Sequence, residues 1–169
     1  MNLRKKVITS GTFDLAVRRH FESLAKRLKL PISRLKDDLY EIQSSYYSMR
    51  IQYTSGHLGR GILASLFPTA QRPANVNDKV RAFGVVVIAR YHGADMQTNL
   101  VATEEEFYQQ AEYISKMADI YCTPYLLGMK DDFEQINSFV ERSIEESGIR
   151  DKKWNFPKNV REEWQLPEK

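Results

Sequence analysis

The sequence predicts a mainly α-helical domain, and three observations lead to that fold class. The first is a pair of amphipathic patterns, over residues 10–28 and 35–53, joined by a short break. The second is a capped, acidic helix start at Thr103, and the third is a regular apolar stripe from Phe133 to Ile144. They predict an N-terminal helical hairpin and a C-terminal antiparallel helix pair.

The first helix of the hairpin is basic and amphipathic. Ser10 or Thr12 is the expected cap, and the polar side carries lysines and arginines interrupted by Glu22. Such a helix offers its charged side to an anionic partner or to solvent. Its apolar stripe consists of Phe13, Val17, Phe21, Leu24 and Leu28.

The second pattern predicts a helix with a single seam. Because seam residues recur every three or four positions, they share one side of a helix and need a partner. We expect the seam to pack on the first helix, and any uncovered part to pair with a second copy in a homodimer. The seam residues are Leu35, Leu39, Ile42, Tyr46, Met49 and Tyr53.

Residues 21–35 resemble a helix-turn-helix motif, which implies DNA binding. Ser33 would cap the second helix, and Lys29 stands where the motif usually carries Gly. Asp37, Asp38 and Glu41 place carboxylates on the helix that would lie beside phosphates. A plain structural hairpin is the alternative. The matching apolar or small residues are Leu24, Ala25, Leu28, Leu30 and Leu35.

Charge is unevenly distributed along a chain whose formal net charge is only +3. Residues 1–60 hold 12 Lys and Arg against 5 Asp and Glu, whereas residues 101–150 hold 4 against 11. The basic part indicates a phosphate-bearing or acidic partner. The alternative is that the basic and acidic parts attract each other within the molecule.

The composition suits a single domain over residues 1–169, with 42% apolar residues for a core. No stretch approaches the roughly 20 apolar residues of a membrane span, and no signal-peptide core follows the basic N-terminus. The single cysteine, Cys122, excludes an internal disulfide. We therefore expect a cytoplasmic protein without a membrane span.

Glycine and proline mark breaks after the hairpin. The cluster Gly56–Gly61 lacks the Gly-Lys-Ser/Thr ending of a nucleotide-binding loop, so we interpret it as a hinge. A short apolar piece follows and stops at Pro68, where an extended connector begins. A break between subdomains is placed near residues 68–75.

Residues 75–91 allow two interpretations. Val80, Phe83, Val87 and Tyr91 suit one side of a core helix, whereas the β-branched run at 85–88 favours a buried strand. We favour the helix, because few other segments would complete a sheet. In the alternative fold class, α+β, a small hairpin lies around residues 84–103.

The C-terminal part predicts two helices followed by an arm. Thr103 caps the first helix, and Pro124 ends or interrupts it. Asp131 or Asp132 begins the second helix. The arm, residues 151–169, carries both tryptophans, and we expect it to cover the protein's own core or a partner's groove.

Catalytic and metal-binding patterns are sparse. The histidines and the cysteine lack metal-site spacing, so no metal or cofactor is expected. We interpret Cys122 as a buried small hydrophobe rather than a nucleophile. Arg90, Tyr91 and His92 with Asp95 form the one compact polar group that would suit a pocket.

These patterns favour binding over catalysis. The leading expectation is a regulatory protein that binds DNA or RNA through the basic hairpin. The alternative is a protein–protein adaptor or assembly subunit that uses the 35–53 seam and the tryptophan arm, with an acidic protein or a second copy as its partner. The expected nucleic-acid-binding residues are Arg18, Arg19, Lys26, Arg27, Lys29, Arg34, Lys36 and Arg60.

Overall fold

The computed structural model describes residues 8–56, 59–95 and 101–146, and this part of the chain has an α+β fold. One antiparallel sheet has the strand order β1-β2-β3-β4-β5 and is accompanied by four α-helices. The prediction of a mainly α-helical fold is therefore wrong. The strands are β1 (Ile32–Lys36), β2 (Leu39–Gln43), β3 (Tyr47–Gly56), β4 (Gly59–Pro68) and β5 (Phe83–Gly84), and the helices are α1 (Ser10–Leu28), α2 (Val85–Tyr91), α3 (Glu104–Leu126) and α4 (Phe133–Glu146).

Helix α1 confirms the first amphipathic pattern. Its cap is Thr9 rather than Ser10 or Thr12, and Thr12 completes a capping box with Thr9. The helix ends at Lys29, whose φ of 57° lies in the left-handed region, and the N–H of Leu30 then donates to the Ala25 carbonyl at 2.9 Å.

The predicted second helix is three β-strands, so neither the helical hairpin nor the helix-turn-helix exists. Polar turns at Asp37–Asp38 and Ser44 separate the strands, and Ser44 accepts hydrogen bonds from the N–H groups of Tyr46 and Tyr47. A spacing of three and four residues matched a helix by coincidence, because the six seam residues come from three separate strands and the turn before β3. The homodimer seam predicted on that helix is removed with it.

The two faces of the sheet differ in what covers them. On the core face, the Phe13 ring of α1 lies 5.7 Å from Tyr40 and 6.1 Å from Tyr53. The Phe107 ring of α3 lies 5.8 Å from Tyr53, so both long helices share this face. The sheet contributes Tyr40, Ile42, Met49, Ile51, Ile62, Ala64 and Leu66 to the buried core.

The opposite face of the sheet is crossed by the chain after Pro68. A 3-10 turn, Thr69–Gln71, is joined to β3 by a 3.0 Å hydrogen bond between the hydroxyls of Ser48 and Thr69. The Val76 carbonyl accepts from Arg50 at 3.4 Å. The residues at the predicted subdomain break are thus tied to the sheet, whereas the single-domain organisation of residues 1–169 stays a prediction.

Helix α2 confirms the predicted core helix only at residues 85–91. Val80 and Phe83, which were expected on the same helix, lie before it, and Phe83 belongs to β5. The alternative hairpin around 84–103 is wrong: the sheet is built mainly from residues 32–68, and Val101 bridges Arg60 on β4. The α+β class is therefore correct in type but was assigned to the wrong segment. Residues 96–100 lie outside the described part.

The two predicted C-terminal helices are present, but the prediction that they form an antiparallel pair is wrong, because neither is a main packing partner of the other. Thr103 caps α3 in a capping box with Glu106, and Pro124 lies inside the last turn rather than ending the helix earlier. Helix α4 buries its predicted stripe of Phe133, Ile136, Val140 and Ile144. Helix α3 packs mainly on α1, α2 and β4, whereas α4 packs on α2. The tryptophan arm lies outside the described residues.

The Gly56–Gly61 cluster forms the connection between two long strands rather than a hinge before another element. Gly56 and Gly59 are register partners at the end of the β3–β4 pair. Gly61 lies under α3, where the Gln110 Oε1 atom accepts a 2.7 Å hydrogen bond from the Ile62 N–H. None of the helices described is long and apolar enough to span a membrane.

Candidate binding surface

The N-terminal turns of α1 lie beside β1, and Asp14 is the centre of that contact. The Arg18 Nε atom lies 2.8 Å from Asp14, and an Arg34 guanidinium nitrogen lies 3.7 Å from it. Tyr40 on β2 donates a hydrogen bond to the same carboxylate. One carboxylate therefore serves two of the predicted anion-binding arginines.

The charge of Asp14 is stabilised by these neighbours. The hydrogen bond from Tyr40, together with the charges of Arg18 and Arg34, holds the pKa of Asp14 below its ordinary value although partial burial opposes this. Arg34 also lies 3.2 Å from Asp37 and 5.8 Å from the centre of the Tyr40 ring. Arg34 is thus held at the sheet edge rather than extended into solvent.

The flank of α1 that faces α3 uses its cations within the molecule. Arg27 forms an ion pair with Asp119, and the Arg19 guanidinium lies 5.2 Å from the centre of the Tyr108 ring. Both interactions join the basic N-terminal part to the acidic C-terminal part. These two contacts agree with the alternative interpretation, in which the basic and acidic parts of the chain attract each other within the molecule.

Lys26 and Lys29 lie at the C-terminal end of α1 and are exposed. Among the described residues, no carboxylate lies within ion-pair distance of either lysine. Lysines in this position also offset the negative end of the helix dipole. They therefore have a structural role in addition to any contact with a partner.

The remaining predicted site residues are far from each other. Lys36, at the end of β1, donates to the Asn77 side chain, which leaves its charge uncompensated by a carboxylate within residues 8–56, 59–95 and 101–146. Arg60 lies on β4, separated from β1 by two strands. The structure therefore groups Arg18 and Arg34 at Asp14, places Lys36 further along β1 beside Asn77, and leaves Arg60 apart from them.

Strand β1 forms one edge of the sheet. The Gln43 N–H donates to the Pro31 carbonyl at 3.1 Å, so the alternation of an antiparallel ladder also turns the backbone of Ser33 toward β2. Ile32 and Arg34 therefore direct their backbone N–H and C=O groups outward. No strand in the described part of the chain pairs with that edge.

Sequence reasoning missed this edge because residues 35–53 were assigned to a helix. The burial of Ile32–Lys36 does not alternate, because Ser33, Arg34 and Lys36 are exposed while Ile32 and Leu35 are half-buried. The usable signal is the polar turn Asp37–Asp38 that follows the strand. The edge strand and its cations form what we call the β1 surface: the outward edge of Ile32 and Arg34, with Arg18, Arg34 and Lys36 around it.

A second polar cluster joins α2, α3 and the start of α4. The His92 Nε2 atom lies 2.9 Å from the Tyr125 hydroxyl, and the Lys130 ammonium lies 3.4 Å from His92 Nδ1. Tyr91 donates to Asp132 at 3.1 Å. The sequence predicts a polar group of Tyr91 and His92 with Asp95. In the structure Tyr91 and His92 instead form hydrogen bonds with a residue of α3 and with residues just before α4.

The hydrogen bonds of this cluster have a consistent direction. An ammonium only donates, so Lys130 donates to His92 Nδ1, and neutral His92 then donates from Nε2 to Tyr125. Burial first, and then the charge of Lys130, lower the pKa of His92. Burial of Asp132 is outweighed by hydrogen bonds from Tyr125 and Tyr91, which hold its pKa below the ordinary value. The cluster thus fixes three helices around a neutral histidine.

Other reactive groups are withdrawn or dispersed. Cys122 is fully buried, and burial raises the pKa of its thiol, which agrees with its interpretation as a small hydrophobe. Within the described residues, no three His, Cys, Asp or Glu side chains come together as metal ligands. The β1 surface is therefore the stronger candidate site.

Comparison of the chain with protein-family models, curated proteins and solved structures found no match. The class of protein is consequently inferred from the surface itself. An unpaired sheet edge accepts an added strand in a recurring mode of peptide recognition.

Proposed function

We propose that the protein is an adaptor that binds an extended, acidic segment of a partner protein along the β1 surface. The observation that carries this proposal is the outward-facing backbone of Ile32 and Arg34 on a strand flanked by cations. A peptide that adds to a sheet edge gains main-chain hydrogen bonds from the strand and specificity from alternate side chains.

The charges around the edge favour acidic side chains in the added strand. Arg34 and Lys36 lie on β1, and Arg18 lies one helix turn from Asp14, which contacts Arg34. The side chains of Arg18 and Arg34 lie together at Asp14, whereas Lys36 reaches Asn77 in the segment that crosses the opposite face of the sheet. Carboxylates on either side of a bound peptide would therefore meet a cation. Complementary charge of this kind increases association rate and specificity more than it increases raw affinity.

The same charges oppose pairing between two copies of the protein. A second β1 edge would bring Arg34 and Lys36 of each copy together, and charged edge strands are a known protection against self-association. A homodimer through β1 is therefore disfavoured relative to an acidic partner.

We place this adaptor in the cytoplasm. The chain has a single cysteine, and its thiol is buried, which suits a reducing compartment.

Nucleic-acid binding by the basic residues, without a recognition helix, is the second candidate function. It is supported by the exposed Lys26 and Lys29, which have no carboxylate partner within the described residues. It is weakened by the ion pairs that Arg18, Arg27 and Arg34 already form. Exposed cations held in such pairs offer fewer uncompensated charges to phosphates.

The test uses a synthetic peptide in which Glu alternates with Val, titrated into the full chain by fluorescence anisotropy. We expect saturable binding that weakens with salt, and about tenfold weaker binding by the Arg34→Glu, Lys36→Glu double variant, which corresponds to about 1.4 kcal/mol. The Arg60→Glu, Arg142→Glu double variant reverses the same number of charges away from β1, on β4 and α4, and is the matched control. Equal loss in both variants would contradict a specific edge site.

A second peptide separates edge pairing from general charge attraction. It has the same sequence with N-methyl groups on alternate residues, which removes the backbone donors that face β1 while keeping every carboxylate. We expect it to bind at least about tenfold more weakly than the parent peptide. Equal affinity of the two peptides would exclude strand addition.

Random duplex DNA, single-stranded DNA and RNA complete the comparison at about 50 mM salt, where phosphate contacts are strong. Binding of a nucleic acid with no binding of the peptide would replace the adaptor proposal with the second candidate. Double variants at Lys26 and Lys29 would then be expected to flatten the salt dependence. No binding of any probe would remove both candidates.

A further inference from the structure

The outer side of α3 carries an apolar stripe that is largely exposed, and of its members only Met117 also packs against the core. Tyr113, Ile120 and Leu127 are 37%, 58% and 42% exposed and are spaced by seven residues. Met117 and Pro124 fall between them, so the stripe repeats every four and three residues along the helix and ends just beyond it. An exposed apolar stripe of this regularity is typical of a docking site.

The stripe is distinct from the side of α3 that faces the core. Phe107, Ala111, Ile114, Ala118 and Cys122 are buried there and account for packing on the sheet and on α1 and α2. Past the helix, Met129 is 74% exposed and continues the apolar surface. We call the surface of Tyr113, Met117, Ile120, Pro124 and Leu127 the α3 stripe.

We propose that residues 151–169 of the same chain dock on the α3 stripe. This segment holds Trp154, Phe156, Trp164 and Leu166, which are large apolar side chains that gain from burial. Residues 104–126 hold five carboxylates against one lysine, whereas residues 151–169 hold five Lys and Arg against four Asp and Glu, so their net charges attract. Covalent attachment adds an effective concentration near the millimolar range.

A short series of ring contacts joins α4, the helix that precedes the segment, to α3. The Phe139 ring of α4 lies 5.7 Å from Tyr91, which lies 4.9 Å from His92. The His92 ring in turn stacks 6.1 Å from Tyr121, the neighbour of Ile120 on α3.

The residues between the end of α4 and Trp154 set how far this tryptophan is able to reach. Helix α4 continues for seven residues from Phe139 to its end at Glu146, which is about 10 Å along the helix axis. Residues 147–153 then reach up to about 23 Å when extended. This reach is compatible with docking of Trp154 on the α3 stripe.

Intrinsic fluorescence tests this docking directly, because both tryptophans of the chain lie in the proposed segment. We expect the full-length protein to emit at shorter wavelength than the denatured chain and to resist quenching by acrylamide. Ile120→Asp should shift the emission to longer wavelength and increase quenching, with an unchanged circular dichroism spectrum. Leu15→Asp, on α1 and 39% exposed, is the matched control and should change neither.

Three results would overturn the proposal. Wild-type emission equal to that of the denatured chain would show that the tryptophans do not dock. Equal effects of Ile120→Asp and Leu15→Asp would show that they dock elsewhere. Light scattering across a dilution series tests whether a second copy of the chain occupies the stripe instead. If a dimer dissociates on dilution and the tryptophans lose their protection at the same time, the segment docks between two copies and not within one chain.

Discussion

The Glu41 carboxylate on β2 and the Arg50 guanidinium on β3 are direct cross-strand partners, 3.1 Å apart on the face of the sheet away from α1 and α3. Only 1% of the Glu41 side chain and 12% of the Arg50 side chain are exposed. Arg72 lies 3.0 Å from the second Glu41 oxygen, in ion-pair range. A carboxylate that seemed a defect in a DNA-binding helix is instead a buried element of a sheet.

Removing one member of this buried pair should be costly. We expect Glu41→Ala to lower the free energy of unfolding by about 3 to 5 kcal/mol, because it leaves the Arg50 charge largely buried without its partner. Urea denaturation measures the change. The exposed Glu22→Ala on α1 should remain within about 0.5 kcal/mol of wild type. A similarly small effect at Glu41 would mean that Arg50 reaches solvent or another acceptor.

Gly128 is required by its backbone conformation in the turn after α3. Its φ is +70°, and an added Cβ would lie 2.6 Å from the Tyr46 ring. We expect Gly128→Ala to destabilise by about 1 to 2 kcal/mol from the left-handed backbone alone, since the exposed Tyr46 ring is able to swing away.

Gly93→Ala isolates the backbone part of that cost. Gly93 has a φ of +85° and no atom within 4 Å of an added Cβ. Thermal unfolding of both variants is the measurement. If the two losses are equal, Tyr46 yields freely, and a larger loss at Gly128 measures the Tyr46 contact. An absence of any loss at Gly128 would contradict the backbone requirement.

His92 should make stability depend on pH. Its pKa is lowered from 6.5 in the folded state, so the unfolded chain binds the proton first as the pH falls through that value. Stability should therefore decrease below about pH 6.5 until the folded state also takes up the proton. We expect His92→Gln to give a flatter melting temperature between about pH 7 and 5.

His20 provides the comparison, because burial also lowers its pKa. His20→Gln should flatten the same pH range, and the double variant should be the flattest of the four proteins. A wild-type slope in His92→Gln would assign the pH dependence to other groups and would contradict the proposed role of the Lys130–His92 contact.

Several local features were predictable because neighbouring residues determine them. The apolar spacing of α1, the Thr103 capping box and the α4 stripe each lie within one helix, and each is confirmed. A helix at residues 85–91 is predicted correctly, but for the wrong reason, because other segments of the chain do complete a sheet. Local patterns thus gave elements but not their arrangement.

The sheet was missed because burial on both of its faces hides the alternation of a strand. In β2, Leu39, Tyr40, Glu41 and Ile42 are all buried, so apolar and polar positions do not alternate as they do in a one-sided strand. The Glu41 carboxylate is able to be buried in β2 because Arg50, nine residues later, compensates its charge. Helical periodicity does not reveal a cross-strand ion pair of that kind. The turn residues Asp37 and Asp38, in contrast, are a sequence signal for the break between β1 and β2.

Asp14 should limit the affinity of the β1 surface for acidic ligands. It neutralises part of the charge of Arg18 and Arg34, and Tyr40 helps to keep it ionised. We expect Asp14→Asn to bind the alternating Glu-Val peptide about threefold more tightly, since a positive surface loses an opposing charge. Asp119→Asn releases Arg27 on the α3 flank instead, away from β1, and should leave the affinity unchanged. Equal strengthening by both variants would show that the peptide responds to total charge, and no strengthening by Asp14→Asn would remove Arg18 and Arg34 from the binding surface.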